Sequence, residues 1–586
     1  MKIKTKTLIN TISTKRKKQL IALLCLAVFA SLADFVGLAA LYPFLVLVTS
    51  PDLILSDAKF SWLPLFIKDL GVERALIGLS VIFFITAILS GIVRLSYAVL
   101  SIRWGMCVAA EVSSKIFSGI LERPLQYTKS KKSGHLVSSI NKANDIFGLL
   151  ISPLLTSFIG FLSVILVIIP LLILEPELTL IVLGSLGLAY VAFSTWRQKK
   201  LQSNSAVIAR RHAELTRTIY DGLGAIKDIK LAGLQTIFQS EFSRGIYLIN
   251  RAKAQNKSFE VMPKYILESI TFLVIGALAV TASQGLETNL QSNVASSIPT
   301  LGVIILAAQR LIPALQQAYS GFAIIMGNRE SIGDVLDLLN ESEGFPKFDR
   351  IGYPIEFKQS IQFKDVYFIY EKESIPIFRA VTFQIPKGCK VGIVGPSGAG
   401  KTTLLDLLAG LIPPTKGQVL IDGISLEPKF LDNWLSRIAY VTQTPFLFDV
   451  SIAENIALNS NQTIDLNLMN AVLMKVGLEE KVRRLPFGLN TRIGERGAYL
   501  SGGESQRIGL ARALYRGAEI LVFDESTNAL DQKTETRVID NLTFLPKDTT
   551  VFIVSHQPQN LYYCDFFLIL SDGVVSLRQK LDQPIV

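Results

Sequence analysis

Six runs of apolar residues dominate the N-terminal part of this 586-residue chain. A hydrocarbon core about 30 Å thick requires roughly 20 apolar residues in a helix that crosses it. A segment in lipid must also satisfy its backbone polar groups internally, so these runs are expected to be helices. They predict a polytopic α-helical transmembrane domain with six spanning helices. The runs cover Leu20 to Val48, Leu76 to Leu100, Leu149 to Leu174, Leu178 to Phe193, Tyr265 to Ala282 and Pro299 to Met326.

The basic residues indicate which ends of the spans face the cytoplasm. The formal net charge is +11, although only 18% of the residues are charged. Lys and Arg cluster at residues 2–18, 103–142 and 197–264, beside the apolar spans rather than among interleaved aromatic residues. This bias predicts a multi-pass protein of the cell inner membrane with its N-terminus in the cytoplasm, and it argues against a nucleic-acid partner. The amphipathic periodicity of the two longer connections predicts that spans two to five continue beyond the bilayer as helices.

The composition changes after the last apolar run. Residues 341–357 are largely polar and contain Gly and Pro, which is typical of a linker. Beyond them, short apolar strands alternate with helical stretches, a pattern that predicts an α/β domain with a largely parallel sheet. We therefore expect a transmembrane domain at 1–340, a linker at 341–357 and a nucleotide-binding domain at 358–586.

A glycine-rich segment, GPSGAGKTT, occupies residues 395–403. It follows a strand-like run at 390–394 and opens a helix-like run at 404–408, the context that a phosphate-binding loop requires. Glycines let backbone N–H groups close around phosphates at a helix N-terminus. Lys401 is then expected to reach the β and γ phosphates, and the Thr402 hydroxyl to bind Mg²⁺. The predicted phosphate-binding residues are Gly395, Ser397, Gly398, Gly400, Lys401, Thr402 and Thr403.

Two adjacent carboxylates, Asp524 and Glu525, end the apolar segment ILVFDE. Such a pair at a strand end is unusual unless a cation or a reaction uses it. Asp524 is predicted to hold Mg²⁺, and Glu525 to polarise the attacking water as a general base. A solvated acidic turn is the alternative.

Together with LSGGESQR at residues 500–507, these motifs resemble the ATP-binding cassette (ABC) family over essentially the whole chain. The resemblance implies a P-loop nucleotide-binding domain that hydrolyses ATP with Mg²⁺. It also implies that an aromatic side chain stacks on adenine; Tyr370 is the candidate, with Tyr367 and Phe368 as rivals. The remaining implied contacts are Gln443 with Mg²⁺ and the attacking water, Asp531 in a loop that crosses between subunits, and His556 with the γ-phosphate.

The LSGG segment implies a dimer. In the ABC family this segment caps the nucleotide that another cassette holds, and only one cassette is present here. We expect a homodimer with two composite ATP sites, each capped by the other chain. Glu504, Asn528 and Gln557 depart from the commoner Gln, Ser and Arg, but none of them replaces a catalytic group. The capping residues are Ser501, Gly502 and Gly503.

The order of the domains is similar to that of an exporter-type half-transporter. By that resemblance, residues 124–132 and 222–229 contain short coupling helices that dock on the cassettes. The implied mechanism is alternating access, in which ATP closes the cassettes and hydrolysis resets them.

The substrate is indicated by charges within or beside the spans. Arg94, Lys264 and Arg310, doubled in a homodimer, form a basic wall suited to a phosphate or pyrophosphate headgroup, because charge at such depth usually faces a cavity or a partner. Pairing with Asp34 and Glu268, or snorkelling to the interface, is the alternative.

Three segments, FSWLPLFIKDL, PKYILESITF and AAQRLIP, are similar to those of bacterial flippases of lipid-linked oligosaccharides. This resemblance favours a flippase for an anionic lipid-linked oligosaccharide or related glycolipid. Two alternatives stay open. One is a peptide, drug or lipid A exporter of the same architecture, and the other is a membrane ATPase that acts as a gated channel or receptor.

Overall fold

A computed structural model describes residues 5–49, 72–131, 133–174, 176–284, 311–343, 353–370, 375–458, 463–524, 546–555 and 561–580. The chain folds into two compact units. The first comprises Met1–Leu121 and Lys131–Phe345, and the second comprises Glu122–Ser130 and Pro346–Val586. Each unit has its own hydrophobic core.

Every element described up to residue 343 is helical. In chain order the helices are α1 (Thr5–Thr11), α2 (Thr14–Thr49), α3 (Val72–Leu121), α4 (Leu125–Ser130), α5 (Ser133–Asn144), α6 (Ser152–Leu174), α7 (Pro176–Gly224), α8 (Ile226–Leu231), α9 (Gln235–Gln284), α10 (311–327) and α11 (Arg329–Glu343). A π-helical turn, Phe147–Ile151, leads into α6. Of these helices, α4 belongs to the second unit and the others to the first.

Three helices are far longer than a membrane span. Helices α3, α7 and α9 have 50, 49 and 50 residues, which at 1.5 Å per residue is about 75 Å, against a hydrocarbon core of about 30 Å. The predicted continuation beyond the bilayer therefore agrees with the structure for spans two, four and five. Span three differs, because it forms the 23-residue helix α6 after a π-helical turn. Within the described residues, the segments Ser80–Leu121 and Phe147–Ile169 have the length and hydropathy of membrane spans. Large apolar side chains of α3, such as Ile85 and Ile88, are exposed in the isolated chain, as a lipid-facing helix requires.

A proline interrupts the hydrogen bonding of α9. Pro263 has no N–H to donate to the Phe259 carbonyl, four residues earlier. The Tyr319 hydroxyl donates to that carbonyl at 3.2 Å, and Gln316 Nε2 donates to the neighbouring Glu260 carbonyl at 2.7 Å. Side chains of α10 thus satisfy backbone acceptors of α9 where the helix is weakest.

The second unit is built on two sheets. Its strands are β1 (Ser360–Phe368), β2 (Phe378–Pro386), β3 (Lys390–Val394), β4 (Lys416–Ile421), β5 (Ile424–Ser425), β6 (Ile438–Val441), β7 (Ile520–Asp524), β8 (Thr550–Val554), β9 (Phe566–Ser571) and β10 (Val574–Gln579). Its helices after α4 are α12 (Lys401–Leu408), α13 (Leu431–Ser436), α14 (Ile452–Ala457), α15 (Leu466–Val476), α16 (Glu479–Arg484) and α17 (Gly502–Arg516).

The larger sheet has the order β10-β9-β3-β8-β7-β6 and is parallel except for β10. It matches the predicted parallel sheet. The smaller sheet, β2-β1-β4-β5, is antiparallel and was not predicted. Buried and exposed residues largely alternate along β2, because an antiparallel sheet can leave one face to solvent.

Residues that precede the strands of the second unit contribute to its core. Helix α11 runs to Glu343, and the buried side chains of Ile355 and Phe357 already belong to the core of the second unit. The Ile355 N–H also donates to Asn433 Oδ1 at 3.1 Å. That core therefore begins before residue 358. Earlier in the chain, Leu125 of α4 packs against the same core, and its N–H donates to the Leu411 carbonyl at 3.1 Å.

Candidate nucleotide-binding site

The glycine-rich segment forms the turn between β3 and α12. Gly398 has φ = 83° and Gly400 has φ = 93°, in the left-handed region that L side chains rarely adopt. A Cβ on Gly400 would lie 2.6 Å from Cγ2 of Ile377. The backbone therefore needs glycine at Gly400 both for its conformation and for its close packing.

The side chains at the start of α12 have different environments. Lys401 is buried, and its Nζ donates to the Gly395 carbonyl at 2.9 Å and to the Pro396 carbonyl at 3.3 Å. These bonds hold the ammonium group against the loop. The Thr402 side chain is exposed, as a ligand of Mg²⁺ must be. Thr403 is buried, and its hydroxyl is 3.2 Å from the Tyr370 hydroxyl, a contact that links the start of α12 to that tyrosine.

The three candidate aromatic residues differ in accessibility. Phe368 is 1% exposed and lies in the core, which excludes it as a platform for a base. Tyr367 is 40% exposed and lies on β1, opposite Lys416 of β4. Tyr370 follows β1, is half-buried, and packs edge-to-face on Phe368 with ring centroids 4.9 Å apart. Of these three residues, only Tyr370 forms a hydrogen bond to α12 through its hydroxyl within the described part of the chain.

Asp524 lies at the carboxyl end of β7. Both it and Ile393 of β3 pair with Val554 of β8, so the carboxyl ends of these three parallel strands are level. The P-loop and the Asp524 carboxylate therefore lie at the same edge of the sheet. This is the edge at which parallel α/β sheets bind ligands.

The hydroxyl of Tyr440 donates to Asp524 Oδ2 at 3.1 Å. Burial, and then the charges of Asp524 and Asp406, raise the pKa of the Tyr440 hydroxyl. The hydroxyl therefore stays protonated and remains a donor. Sequence reasoning missed this residue, and the one available signal was a phenol within the apolar strand IAYV.

Gln443 lies on the loop after β6 with an exposed side chain. Its backbone carbonyl accepts from Nε2 of Gln506, a residue of α17, at 3.0 Å. The loop that carries Gln443 is thus tied to the helix that follows the LSGG segment.

The LSGG segment forms the start of α17. The Ser501 hydroxyl accepts from the Glu504 N–H at 3.3 Å, and Glu504 Oε2 accepts from the Ser501 N–H at 2.8 Å. This reciprocal cap explains the Glu at position 504. Burial opposes ionisation of Glu504, but the bonds from Ser501 and Lys481 outweigh it and lower the pKa. Ser501 and Gly502 are exposed, and a Cβ on Gly502 would meet no atom within 4 Å.

Within one chain, α17 is distant from the P-loop. It packs against β6, α14 and α15, whereas the P-loop follows β3, three strands away in the sheet. At about 4.8 Å per strand, β3 and β6 are roughly 14 Å apart. The open start of α17 is therefore available to a second molecule.

Four predicted site residues lie outside the described residues: Glu525, Asp531, His556 and Arg310. Glu525 directly follows the described Asp524, and His556 follows the described Ser555 just beyond the end of β8. Their roles stay predictions.

The other two predicted substrate residues have different surroundings. Arg94 lines a cavity of about 760 Å³ between α2, α3, α6 and α10, together with Ser31, Thr156 and Gln317. Lys264 Nζ lies 3.9 Å from Glu268 Oε1. Lys264 thus has the ion pair that the alternative interpretation anticipated, while Arg94 faces a cavity. The side chain of Asp34 is outside the described part of the chain.

Comparison with known proteins agrees with this geometry. The model of the ABC transporter transmembrane region matches residues 20–301, and that of the ABC transporter domain matches residues 378–528. The leukotoxin export ATP-binding protein LtxB of Aggregatibacter actinomycetemcomitans is 29% identical over 81% of this chain, and the alignment spans 66% of that protein, just under two thirds. The ATP-dependent lipid A-core flippase of Paraburkholderia xenovorans is 28% identical over 86% of this chain and 82% of that protein.

A solved structure shares the whole fold. The structure of a bacterial Atm1-family ABC exporter with ATP bound has a TM-score of 0.76 and 20% identity, and the match covers 97% of this chain and 96% of that one. The predicted fold class and the predicted ATP-hydrolysing domain are confirmed. The chain belongs to the ABC transporters, with an exporter-type transmembrane domain followed by the ATP-hydrolysing domain of that family.

Proposed function

We propose that two copies of this chain form an ATP-driven exporter of the cell inner membrane that translocates an anionic lipid-linked oligosaccharide or a related glycolipid. The proposal that the protein uses ATP rests on one observation. The P-loop and Asp524 lie at the same edge of one sheet, where the carboxyl ends of their strands are level. The substrate rests on Arg94 in a hydroxyl-lined cavity among apolar helices.

The residues of the site fit ATP with Mg²⁺. The N–H groups of the P-loop and Lys401 bind the phosphates, and Tyr370 supports the base. The exposed Thr402 hydroxyl and the Asp524 carboxylate are oxygen donors of the kind that Mg²⁺ prefers, with Gln443 as a further contact. When bound, the cation neutralises charge on the phosphates. Glu525 acts as general base and His556 contacts the γ-phosphate.

The second chain completes each site. Ser501, Gly502 and Gly503 lie at the start of a 15-residue helix, and Ser501 and Gly502 are exposed there. The positive end of the helix dipole suits the terminal phosphate of a nucleotide held by the other cassette. We also propose, from the family resemblance, that Asp531 acts at the contact between the two subunits.

The cavity at Arg94 suits a phosphate-bearing headgroup. A guanidinium group presents a planar fork of donors that matches phosphate oxygens. The amide of Gln317 lines the same cavity and can donate to phosphate oxygens. The hydroxyl groups of Ser31 and Thr156 donate to the Ala27 and Ser152 carbonyls, so they can accept from sugar hydroxyl groups. The apolar walls of the surrounding helices suit the lipid chain.

Two short helices support the proposal that the cassettes are coupled mechanically to the membrane helices. Helix α4 falls within predicted segment 124–132 and groups with the cassette through Leu125. Helix α8 overlaps the second predicted segment, 222–229. We propose both as the coupling helices through which closure of the cassettes turns the membrane helices.

The test is reconstitution in proteoliposomes with a fluorescent polyprenyl-pyrophosphate-linked glycan. We expect ATP-dependent movement of this lipid by the wild type, none by Lys401→Ala, and none of a neutral lipid with the same chain. ATPase stimulation by a peptide or by lipid A, but not by the glycan lipid, would instead favour an exporter of the kind named in the two relatives. Nucleotide-independent conductance without lipid movement would favour a gated channel or receptor.

A further inference from the structure

The contact between Tyr440 and Asp524 crosses two strands diagonally. Tyr440 of β6 pairs with Val522 of β7, and Asp524 lies two residues further along β7, on the same face as Val522. The tyrosine side chain is long enough to reach forward by one repeat of the strand. Its hydroxyl thereby bonds to Asp524 Oδ2 at 3.1 Å. Helix α12 packs on the same face of the sheet. The charge of its buried residue Asp406 contributes to the raised pKa of the Tyr440 hydroxyl.

We propose that Tyr440 is a positioning residue for the metal-binding carboxylate of Asp524, an inference that rests on the proposed function. A hydroxyl bonded to an ionised carboxylate forms a charge-assisted bond, which is about twice as strong as a neutral one. This bond restricts the carboxylate to one orientation before the nucleotide arrives.

The hydrogen bond fixes which group is the donor. The carboxylate oxygen accepts, so the Tyr440 hydroxyl donates to Asp524 Oδ2. A Phe at this position would keep the ring and its packing while removing only the bond.

A positioning role and a purely structural role of Tyr440 predict different results in two measurements. A merely structural tyrosine would affect the unfolding temperature but not the metal dependence of ATP hydrolysis. A positioning tyrosine would change the apparent affinity for Mg²⁺ while leaving metal-free nucleotide binding intact, because the P-loop and Tyr370 hold the nucleotide.

The experiment uses the full-length protein in nanodiscs. For Tyr440→Phe we expect the Mg²⁺ concentration for half-maximal ATPase to rise about tenfold, the loss expected from removing one bond to a charged group. Binding of a fluorescent ATP analogue in EDTA should stay within about twofold of the wild type, because no group that touches the nucleotide is removed.

The matched control is Tyr515→Phe. The Tyr515 hydroxyl accepts from the Asp465 N–H at 3.0 Å, away from the carboxylate, so its removal should leave the Mg²⁺ dependence unchanged. Tyr440→Met is a second variant that lacks the hydroxyl, and it should reproduce the shift if the Phe variant folds poorly.

Two negative results are distinguishable. A wild type without Mg²⁺-dependent ATPase would refute the proposed function itself. A wild type with that activity, together with unchanged Mg²⁺ dependence in folded Tyr440→Phe and Tyr440→Met, would overturn the positioning role alone.

Discussion

Adding a single methyl group at Gly400 should disable nucleotide binding more severely than adding the same group at Gly398. Both residues have positive φ, 93° and 83°, so an alanine at either position is strained. For an L residue this conformation costs roughly 1–2 kcal/mol. Only at Gly400 does the new Cβ also clash, at 2.6 Å from Ile377 and 3.0 Å from Phe378, whereas at Gly398 no atom lies within 4 Å.

The clash sets the size of the difference. Overpacking a well-packed site costs typically about 1–3 kcal/mol, so Gly400→Ala carries roughly 2–5 kcal/mol against roughly 1–2 kcal/mol for Gly398→Ala. If the loop relaxes out of its binding conformation, affinity for ATP falls by roughly 5- to 30-fold for Gly398→Ala and by about 30-fold or more for Gly400→Ala. Phe378 is fully buried at the start of β2, so it cannot move away freely.

The assay is titration of each variant with a fluorescent ATP analogue, with thermal unfolding as the check that the cassette stays folded. Gly398→Ala is the matched control, since it introduces the same atoms and the same backbone strain without the contact. Equal affinities for the two folded variants would refute the reasoning from Cβ distances. An unchanged affinity in both would refute the role of the loop.

Three further changes test other parts of the account. Glu525→Gln should keep ATP binding and accumulate a closed dimer, seen as retained nucleotide with lost turnover; undiminished turnover would reject Glu525 as the base. Arg94→Ala should impair glycolipid movement more than basal ATPase, with Arg94→Lys as the charge-retaining control, and normal movement in the Ala variant would remove Arg94 from the substrate site. Burial opposes ionisation of Asp422, but three backbone N–H groups of residues 358–360 outweigh it and lower the pKa. The stability that Asp422 contributes is therefore full above the ordinary Asp pKa of about 3.9 and is lost as pH falls through the lowered value. Asp422→Asn should show a shallower acid loss of unfolding temperature, and an identical acid profile would contradict this.

The parts of the site that could be predicted are those that local sequence dictates. The P-loop follows from one strand, one turn and one helix adjacent in the chain, so the positive φ of Gly398 and Gly400 is a local consequence of the motif. The long helices α3, α7 and α9 were likewise predictable, because their periodicity continues past the apolar spans.

The parts that could not be predicted depend on register and on packing between distant segments. The bond from Tyr440 to Asp524 exists because β6 and β7 pair in one particular register, which the sequence does not reveal for residues 84 positions apart. The surroundings of the basic residues in the spans also depend on packing, because only the side-chain positions show that Lys264 lies beside Glu268 and that Arg94 lines a cavity. The inclusion of α4 in the second unit depends on Leu125 meeting a core formed by residues far along the chain.

In the proposed dimer, each ATP site takes its P-loop from one chain and its LSGG segment from the other. This arrangement is tested by co-expression of Lys401→Ala with Ser501→Arg, followed by isolation of the mixed dimer through two different tags. We expect each variant alone to lack ATPase and the mixed dimer to regain it, because one of its two sites then combines an intact Lys401 with an intact Ser501. A mixed dimer as inactive as both parents would contradict the composite site.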